Sequence, residues 1–222
     1  MVKRSGILTG TAGVYFVASQ LAAQGFHAAP TFGNAPSVDI LVGLPDGAAT
    51  LSLQVKTTIQ ALRTRGKGKD KYQHHYEWDV GEKSGNLDRQ DLFFAFVDLK
   101  GAKDEMPDVL IVPSKVIFIA FDKPYFKSGI KRRWRWHPKI ETVSQFKNNW
   151  RILRDYLRVR YVISYNLSDK HLTRNRYRRK NNVPSLNLFN ETINLSSTHS
   201  HLNPAVFRIF SPITIFEVLA IT

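Results

Sequence analysis

The stretch SVDILVGLPDGAATLSLQVKTT, residues 37–58, contains two short apolar segments separated by a turn sequence. Residues 38–44 and 49–56 are each predicted to form a strand, because a Pro-Asp-Gly turn stands between them. In the second strand apolar and polar residues alternate, so one side is apolar and the other carries Gln54 and Lys56, which point the same way. The stretch therefore predicts a β-hairpin with polar side chains on one face.

A helix and a strand are predicted before this hairpin. The helix runs from Thr11 to Gln24 and ends at Gly25. Its apolar residues recur at helical spacing: Val14, Val17, Ala18, Leu21 and Ala22. Residues 26–32 are then predicted to be a strand and residues 33–36 a turn.

The chain after the hairpin predicts more strands and a second helix. Residues 76–80 form a short predicted strand, residues 92–99 (LFFAFVDL) a buried one, and residues 109–112 another, bounded by prolines. A stripe of apolar residues at helical spacing follows: Val143, Phe146, Trp150, Leu153 and Leu157. This stripe predicts an amphipathic helix that packs on the sheet or on another subunit. We therefore expect an α/β (mixed α+β) fold in which helices flank a central mixed β-sheet.

Composition narrows the class of protein. The chain has 222 residues, no cysteine and a net charge of +14. The lack of cysteine excludes disulfide scaffolds, thiol nucleophiles and cysteine-ligated zinc. The charge predicts polyanionic partners. No run approaches the roughly 18 consecutive apolar residues of a membrane helix, so we expect a cytoplasmic protein without a membrane partner.

Two parts of the chain differ in composition. Residues 1–160 contain all the elements predicted above. Residues 161–222 contain eight Asn and three acidic residues, a basic stretch and an apolar end. We expect a domain over residues 1–160 and a basic C-terminal extension whose fold the pattern does not predict.

The order helix, strand, strand with Asp39, turn, strand with Gln54 and Lys56 resembles the PD-(D/E)XK nuclease superfamily, which has a restriction-endonuclease-like core. The resemblance covers roughly residues 9–157. The motif halves are Ser37-Val38-Asp39 and Gln54-Val55-Lys56. The segment also looks like bacterial and intron-associated members, including homing endonucleases, that carry Gln in place of the second acid. The resemblance implies a metal-dependent endodeoxyribonuclease.

The chemistry implied by this resemblance gives each residue a role. Asp39, the side-chain oxygen of Gln54 and the backbone carbonyl of Val55 would be ligands of Mg²⁺, with Mn²⁺ as an alternative, because Mg²⁺ prefers oxygen ligands. Lys56 would orient the attacking water and favour its ionised form. Two features depart from the family: Gln54 is neutral, and residues 1–38 contain no acid, with Val14 where relatives place a Glu. We therefore expect weak metal binding without DNA.

Two basic segments are predicted to contact DNA phosphates. The first is a mobile loop within residues 59–75 that carries Arg63, Arg65, Lys67 and Lys69. The second spans residues 127–139 and carries Lys131, Arg132, Arg133, Trp134 and Arg135. The alternative for the first is a plain solvated loop. The alternative for the second is a strand whose inward face holds Trp134 and Trp136.

Two further pairs of residues can be explained by either a structural or a functional role. His74 and His75 are predicted to be solvated or packed, since adjacent strand residues diverge and no third metal ligand has suitable spacing. Glu77 and Asp79 share a face on the strand prediction. They either form salt bridges with basic neighbours or add a carboxylate to the site.

These observations lead to a Mg²⁺-dependent DNA endonuclease of restriction or homing type. The alternative is a catalytically silent DNA-binding or assembly protein with the same fold. A double-strand cut needs two active sites, so we expect a homo-oligomer, a dimer or a tetramer. The stripe over residues 143–157 and the apolar C-terminal end are the candidate contact surfaces.

Overall fold

The fold was obtained as a computed structural model, which describes residues 5–31, 37–47, 49–102, 104–122 and 134–161. The helices are α1 (Gly6–Ala23), α2 (Glu82–Gly85), α3 (Ser114–Phe121), α4 (Ile140–Val143) and α5 (residues 151–161). The strands are β1 (His27–Pro30), β2 (Ile40–Gly43), β3 (Thr50–Thr58), β4 (Leu62–Arg65), β5 (Tyr72–Tyr76), β6 (Trp78–Asp79), β7 (Leu92–Asp98), β8 (Asp108–Pro113) and β9 (Arg135–Trp136).

The central sheet has the strand order β1-β2-β3-β7-β8. Strands β3 and β7 are parallel, and the other neighbours are antiparallel. The sheet is therefore mixed, with helices against it, and the predicted fold class is confirmed. All seven residues of β7 are buried, because this apolar strand lies between two partners and is covered on both faces. Two small sheets, β4-β5 and β6-β9, complete the described part of the fold.

The two faces of the sheet are covered by different elements. Helix α1 lies on one face, where a Cβ on Gly13 would overlap the side chain of Thr57. Because strand residues alternate, Gln54 and Lys56 face the opposite side. There the ring of Phe96, which is the register partner of Lys56, packs against Trp78 at a centroid distance of 5.3 Å.

The strand predictions within the sheet are confirmed, with small changes at their ends. The predicted strands over residues 38–44, 49–56, 92–99 and 109–112 correspond to β2, β3, β7 and β8, respectively. The predicted strand over residues 26–32 is β1, and the turn at residues 33–36 lies outside the described residues.

Helix α1 begins five residues before the predicted start at Thr11. The cause is Ser5, whose Oγ accepts a hydrogen bond from the Leu8 amide at 3.2 Å. A serine in this position satisfies an otherwise unpaired amide of the first turn. The predicted end at Gly25 is confirmed, since this glycine has a φ of 82°.

The prediction of a mobile loop over residues 59–75 is wrong. Residues 62–76 form the two-stranded antiparallel sheet of β4 and β5, with a single 3₁₀ turn at Gly68–Asp70 between them. Glycines at 66 and 68 take positive φ values of 86° and 56° and allow the chain to reverse. The alternation of basic with small or polar residues is therefore explained by the two-residue period of a β-strand. The predicted strand over residues 76–80 is divided between the last residue of β5, Tyr76, and the two residues of β6.

The prediction of one continuous helix over residues 143–157 is also wrong. Helix α4 ends at Val143, and a 3₁₀ turn follows at Ser144–Phe146. Asn148 then takes a φ of 49° and pairs with the backbone of Val109 in β8, donating at 2.6 Å and accepting through its side chain at 2.9 Å. This pairing satisfies an edge of the sheet and interrupts the helix.

The apolar stripe belongs to the core of the chain. Of its two predicted roles, packing on the sheet is therefore confirmed. Val143, Trp150, Leu153 and Leu157 are buried. The ring of Tyr156 in α5 packs edge-on against Phe93 of β7 at 5.2 Å. The stripe is therefore covered within the chain and does not supply an exposed surface for another subunit.

Contacts divide the chain into a first unit, residues 1–158, and a second, residues 159–222. The first unit holds every element above except the last residues of α5, and the predicted extension from residue 161 stays a prediction. Among the described residues, α1 is the one helix whose length and composition would allow it to cross a membrane. Its inner face is nevertheless buried at Thr9, Gly13, Val17 and Leu21.

The close packing of α1 on β3 leads to a stability prediction. Gly13→Ala should lower the free energy of unfolding by about 1–3 kcal/mol, the usual range for overpacking, because the added methyl would overlap Thr57. Gly10→Ala is the matched control. It has no atom within 4 Å of the added methyl and should stabilise by roughly 0.5–1 kcal/mol.

Urea denaturation of the two variants measures both effects. The double variant Gly13→Ala/Thr57→Ala should recover part of the loss, since it removes the overlapping hydroxyl. If Gly13→Ala is as stable as Gly10→Ala, the close contact between α1 and β3 is not formed.

Candidate functional site

Asp39 lies immediately before β2, where the chain leaves regular pairing with β3. Its amide donates to the carbonyl of Leu53 at 2.8 Å, and its carboxylate Oδ2 accepts from the Val55 amide at 2.7 Å. Strand β2 begins at Ile40, so β3 continues beyond its partner. The Asp39 carboxylate thus takes the place of a strand along this edge of β3.

The backbone carbonyl of Val55 opens toward the same edge. Backbone groups of successive strand residues point to opposite neighbours, and the Ser52 amide donates to Asp91 at 2.8 Å on the β7 side. Leu53 and Val55 must therefore present their backbone groups on the β2 side, as the bond between Asp39 and Leu53 demonstrates. A carboxylate and a carbonyl oxygen meet beyond the end of β2.

Gln54 lies next to them with a buried amide. Its side chain is on the face of Lys56, the residue is 9% exposed, and its Oε1 has no hydrogen-bond partner. An unpaired buried polar atom costs on the order of 1–3 kcal/mol, a cost that an ordered water or a bound ligand would offset. The Gln54 oxygen is thus an unpaired acceptor, and its role as a metal ligand stays a prediction.

Lys56 is half-buried on the same face. Burial lowers the pKa of its ammonium group, and the carboxylates of Asp39 and Asp79 act in the opposite direction without cancelling that effect. Lys56 makes no ion pair within the described part of the chain. Its amine therefore remains available to a ligand. The structure thus brings Asp39, Gln54, Val55 and Lys56 together.

The two acids that flank Trp78 have different surroundings. Glu77 accepts bonds from Arg63, at 3.4 Å, and from Arg135. Burial alone would raise the pKa of Glu77, but the charges of Arg135 and Arg63 together hold it below its usual value. Asp79, in contrast, is exposed on β6 and acts on the charge of Lys56. Glu77 is the salt-bridging acid, and Asp79 is the one beside the site.

The predicted DNA-contacting residues fall into three groups. Arg63, Arg65, Lys67 and Lys69 are exposed on the hairpin of β4 and β5. Lys131, Arg132 and Arg133 lie outside the described residues. Arg135 pairs with Glu77 on β9. Their contacts with DNA stay predictions.

The two tryptophans of the second basic segment are packed. Trp136 is 7% exposed and its ring lies 4.6 Å from that of Phe96. Trp134 packs against Phe121 at a centroid distance of 5.2 Å and against Gly85, where a Cβ would overlap its ring. The geometry agrees with the inward-facing alternative for this segment.

The histidines form a cluster of rings. His74 and His75 approach through their Nδ1 atoms at 2.9 Å, and the ring of His137 lies 5.8 Å from that of His75. Within the described ranges no three His, Cys, Asp or Glu side chains are arranged to hold a metal ion. A cation at Asp39 would therefore depend on amide and backbone oxygens as well as the carboxylate.

Comparisons with known proteins include a distant likeness to a solved structure. No family model and no curated protein matches the chain. A solved structure of a bacterial homing endonuclease, I-Ssp6803I, is similar with a TM-score of 0.45 and 15% identity, over 74% of this chain and 99% of that chain. The chemistry of the site is therefore derived from its own residues.

Two features of the structure were not predicted from the sequence: the hairpin of β4 and β5, and the position of Asp79 close to Lys56. The hairpin is indicated by the alternation of Arg63 and Arg65 with small residues and by two glycines that allow the chain to reverse. The position of Asp79 depends on pairing between β6 and β9, which joins residues far apart in the chain. Local patterns do not carry such pairings.

The lowered pKa of Lys56 makes folding stability depend on pH. Between the folded and the unfolded pKa values the unfolded chain binds more protons, so stability rises with pH across that window and is lowest below it. Lys56→Met should therefore raise the free energy of unfolding at neutral pH, and the gain should shrink as pH approaches 10.5. Urea denaturation at several pH values measures this difference.

Lys83→Met is the control, because Lys83 is exposed on α2. It should change stability little at any pH. A Lys56→Met variant less stable than the parent at neutral pH would contradict the burial of this charge.

Proposed function

We propose that this chain is a Mg²⁺-dependent DNA endonuclease of restriction or homing type, which hydrolyses phosphodiester bonds. One observation supports the proposal: the Asp39 carboxylate is bonded to the Val55 amide, between Gln54 with its buried unpaired oxygen and Lys56, whose charge it influences. Oxygen donors can hold the cation that assists phosphodiester hydrolysis, and a neighbouring amine can orient the attacking water. The charge of +14 favours a nucleic acid as the substrate.

The donor set fits Mg²⁺, with Mn²⁺ as an alternative. Mg²⁺ prefers oxygen ligands, keeps several of its waters and needs only one or two carboxylates. The unpaired Gln54 oxygen supports this fit, because a cation would satisfy it. When bound there, Mg²⁺ would neutralise charge on the phosphoryl oxygens.

The protein residues would position the reactants. Lys56 would donate hydrogen bonds to the attacking water and stabilise its ionised form, since an ammonium of lowered pKa exchanges protons more readily at neutral pH. The bond from the Val55 amide holds the Asp39 carboxylate in one orientation. Asp79 adds a negative charge near Lys56, which partly replaces the charge that the neutral Gln54 does not supply.

A cut in both strands needs two sites, so the proposal includes a two-fold dimer or a tetramer. The stripe over residues 143–157 is buried within the chain, which leaves the apolar C-terminal end of the two candidate surfaces. That end lies outside the described residues.

Removal of the site residues should separate cleavage from binding. Asp39→Ala and Lys56→Ala should each abolish cleavage while DNA binding changes by no more than a few-fold, because phosphate contacts elsewhere supply the affinity. The matched control Asp46→Ala should cleave normally. Asp46 is exposed in the turn before β3, about 20 Å from Lys56 by the rise of a strand.

The assay uses a plasmid library with random inserts and Mg²⁺ or Mn²⁺, and binding is measured on the same DNA. Binding without cleavage by the parent would indicate the alternative, a catalytically silent DNA-binding protein. Equal loss of binding and cleavage in both variants would contradict the assigned roles.

Gln54→Glu tests the metal ligand. At an effective dielectric constant of ~20, one unit-charge pair at ~4 Å contributes about 4 kcal/mol before desolvation, so the added carboxylate should bind Mg²⁺ more tightly. Calorimetric titration without DNA measures the affinity. The control Gln54→Leu should bind Mg²⁺ more weakly than the parent. If Gln54→Glu binds Mg²⁺ no better than the parent, Gln54 is not a ligand.

A further inference from the structure

The hairpin of β4 and β5, residues 62–76, projects from the domain as a narrow ribbon. Its base is packed, since Tyr76 is 6% exposed, whereas residues 63–73 are all exposed. Its paired part, Leu62–Arg65 against Tyr72–Tyr76, extends about 10–13 Å at the usual rise per strand residue. The exposed part carries five basic residues and one acidic residue: Arg63, Arg65, Lys67, Lys69, Lys71 and Asp70.

The base of this hairpin is fixed by hydrogen bonds to two other segments and by one bond between its own two ends. The Leu62 amide donates to the Asp98 carboxylate at 3.3 Å, and the Tyr76 amide donates to Pro138 at 3.0 Å. The Glu77 amide donates to Ala61 at 3.0 Å. The ribbon is therefore held at its root while its tip is open to solvent.

The root lies at the end of the sheet that holds the candidate site. Asp98, which accepts from Leu62, is the register partner of Thr58, two residues after Lys56. At its other end the hairpin continues through Glu77 into β6, whose Asp79 acts on Lys56. DNA bound at Lys56 would thus lie next to the hairpin.

The two faces of the hairpin differ in chemistry. Opposite residues of an antiparallel pair share a face, so Arg65 and Tyr72 lie on one face with Arg63 and His75. Thr64 and Gln73 lie on the other, which is the face of the buried Tyr76. The outward face is therefore the one with two arginines. Glu77 restrains Arg63 on that face.

We propose that the outward face of this hairpin lies in the major groove of duplex DNA beside the scissile phosphate, where Arg65 contacts base edges and the tip lysines contact phosphates. The proposal rests on the proposed function for its DNA substrate. The major groove of B-DNA, about 12 Å wide, admits a two-stranded ribbon, and an arginine pairs with a guanine edge through two hydrogen bonds. The deep, narrow major groove of duplex RNA excludes such a ribbon.

The test selects preferred sequences from a random duplex DNA pool in EDTA, so that no cleavage is needed. Against the selected site, Arg65→Ala should lose about 5- to 150-fold of the preference at one base-pair position. Arg65→Lys should lose most of it as well, because lysine keeps the charge but not the two-pronged geometry. Thr64→Ala, on the opposite face, should keep the parent preference.

Lys69→Ala should weaken binding to all sequences alike and flatten the salt dependence by about 0.9 units, as expected for one phosphate contact. Thermal midpoints equal to the parent's would establish that these exposed variants remain folded. An unchanged preference in folded Arg65→Ala overturns the proposal. So does an equal change in Thr64→Ala, or equal binding to duplex RNA of the selected sequence.

Cleavage of the selected site with Mg²⁺ is measured separately. If a base preference depends on Arg65 but the site is not cleaved, the proposed role of the hairpin is supported and the proposed nuclease activity is refuted. If the site is cleaved without such a preference, only the proposed role of the hairpin is refuted.

Discussion

The hydrogen bond from the Val55 amide to the Asp39 carboxylate is the constraint on which the candidate site depends. Strand β3 extends beyond the start of β2, so the backbone amides on this edge of β3 have no partner in β2. Without the Asp39 carboxylate, the Val55 amide would be hydrogen-bonded only by water. The carboxylate fills that position and is thereby held against the strand that carries Gln54 and Lys56. One bond terminates strand pairing and orients the acid, so sheet architecture and site geometry have the same cause.

The rest of the site follows from the alternation of a strand. Val55 turns its backbone to the Asp39 edge, while Gln54 and Lys56 turn their side chains to the face opposite α1. That face is lined by Phe96 and Trp78, so a lysine there is partly removed from water. These apolar surroundings lower the pKa of the Lys56 amine. The Gln54 oxygen on the same face has no hydrogen-bond partner. Both are costs to folding that a bound cation and a phosphate would offset.

The parts of this arrangement that depend on local order were predictable from the sequence. Asp39, Gln54 and Lys56 lie within one hairpin whose period and turn are visible in residues 37–58. Other parts were not predictable, because distant pairings decide them. Asp79 reaches the site through β9, and Asn148 breaks a well-formed helical stripe in order to pair with Val109. At Asn148 a tertiary hydrogen bond overrides the local pattern.

The parallel pairing of β3 with β7 requires a crossover, and residues 59–91 provide it. The basic hairpin and β6 are both contained in that connection. The entropy of closing such a connection grows slowly, by about 0.6 kcal/mol for each doubling of its length. The hairpin is consequently free to lengthen, shorten or be exchanged with little effect on the sheet, so its length and surface residues can vary while the strand that carries Gln54 and Lys56 stays unchanged.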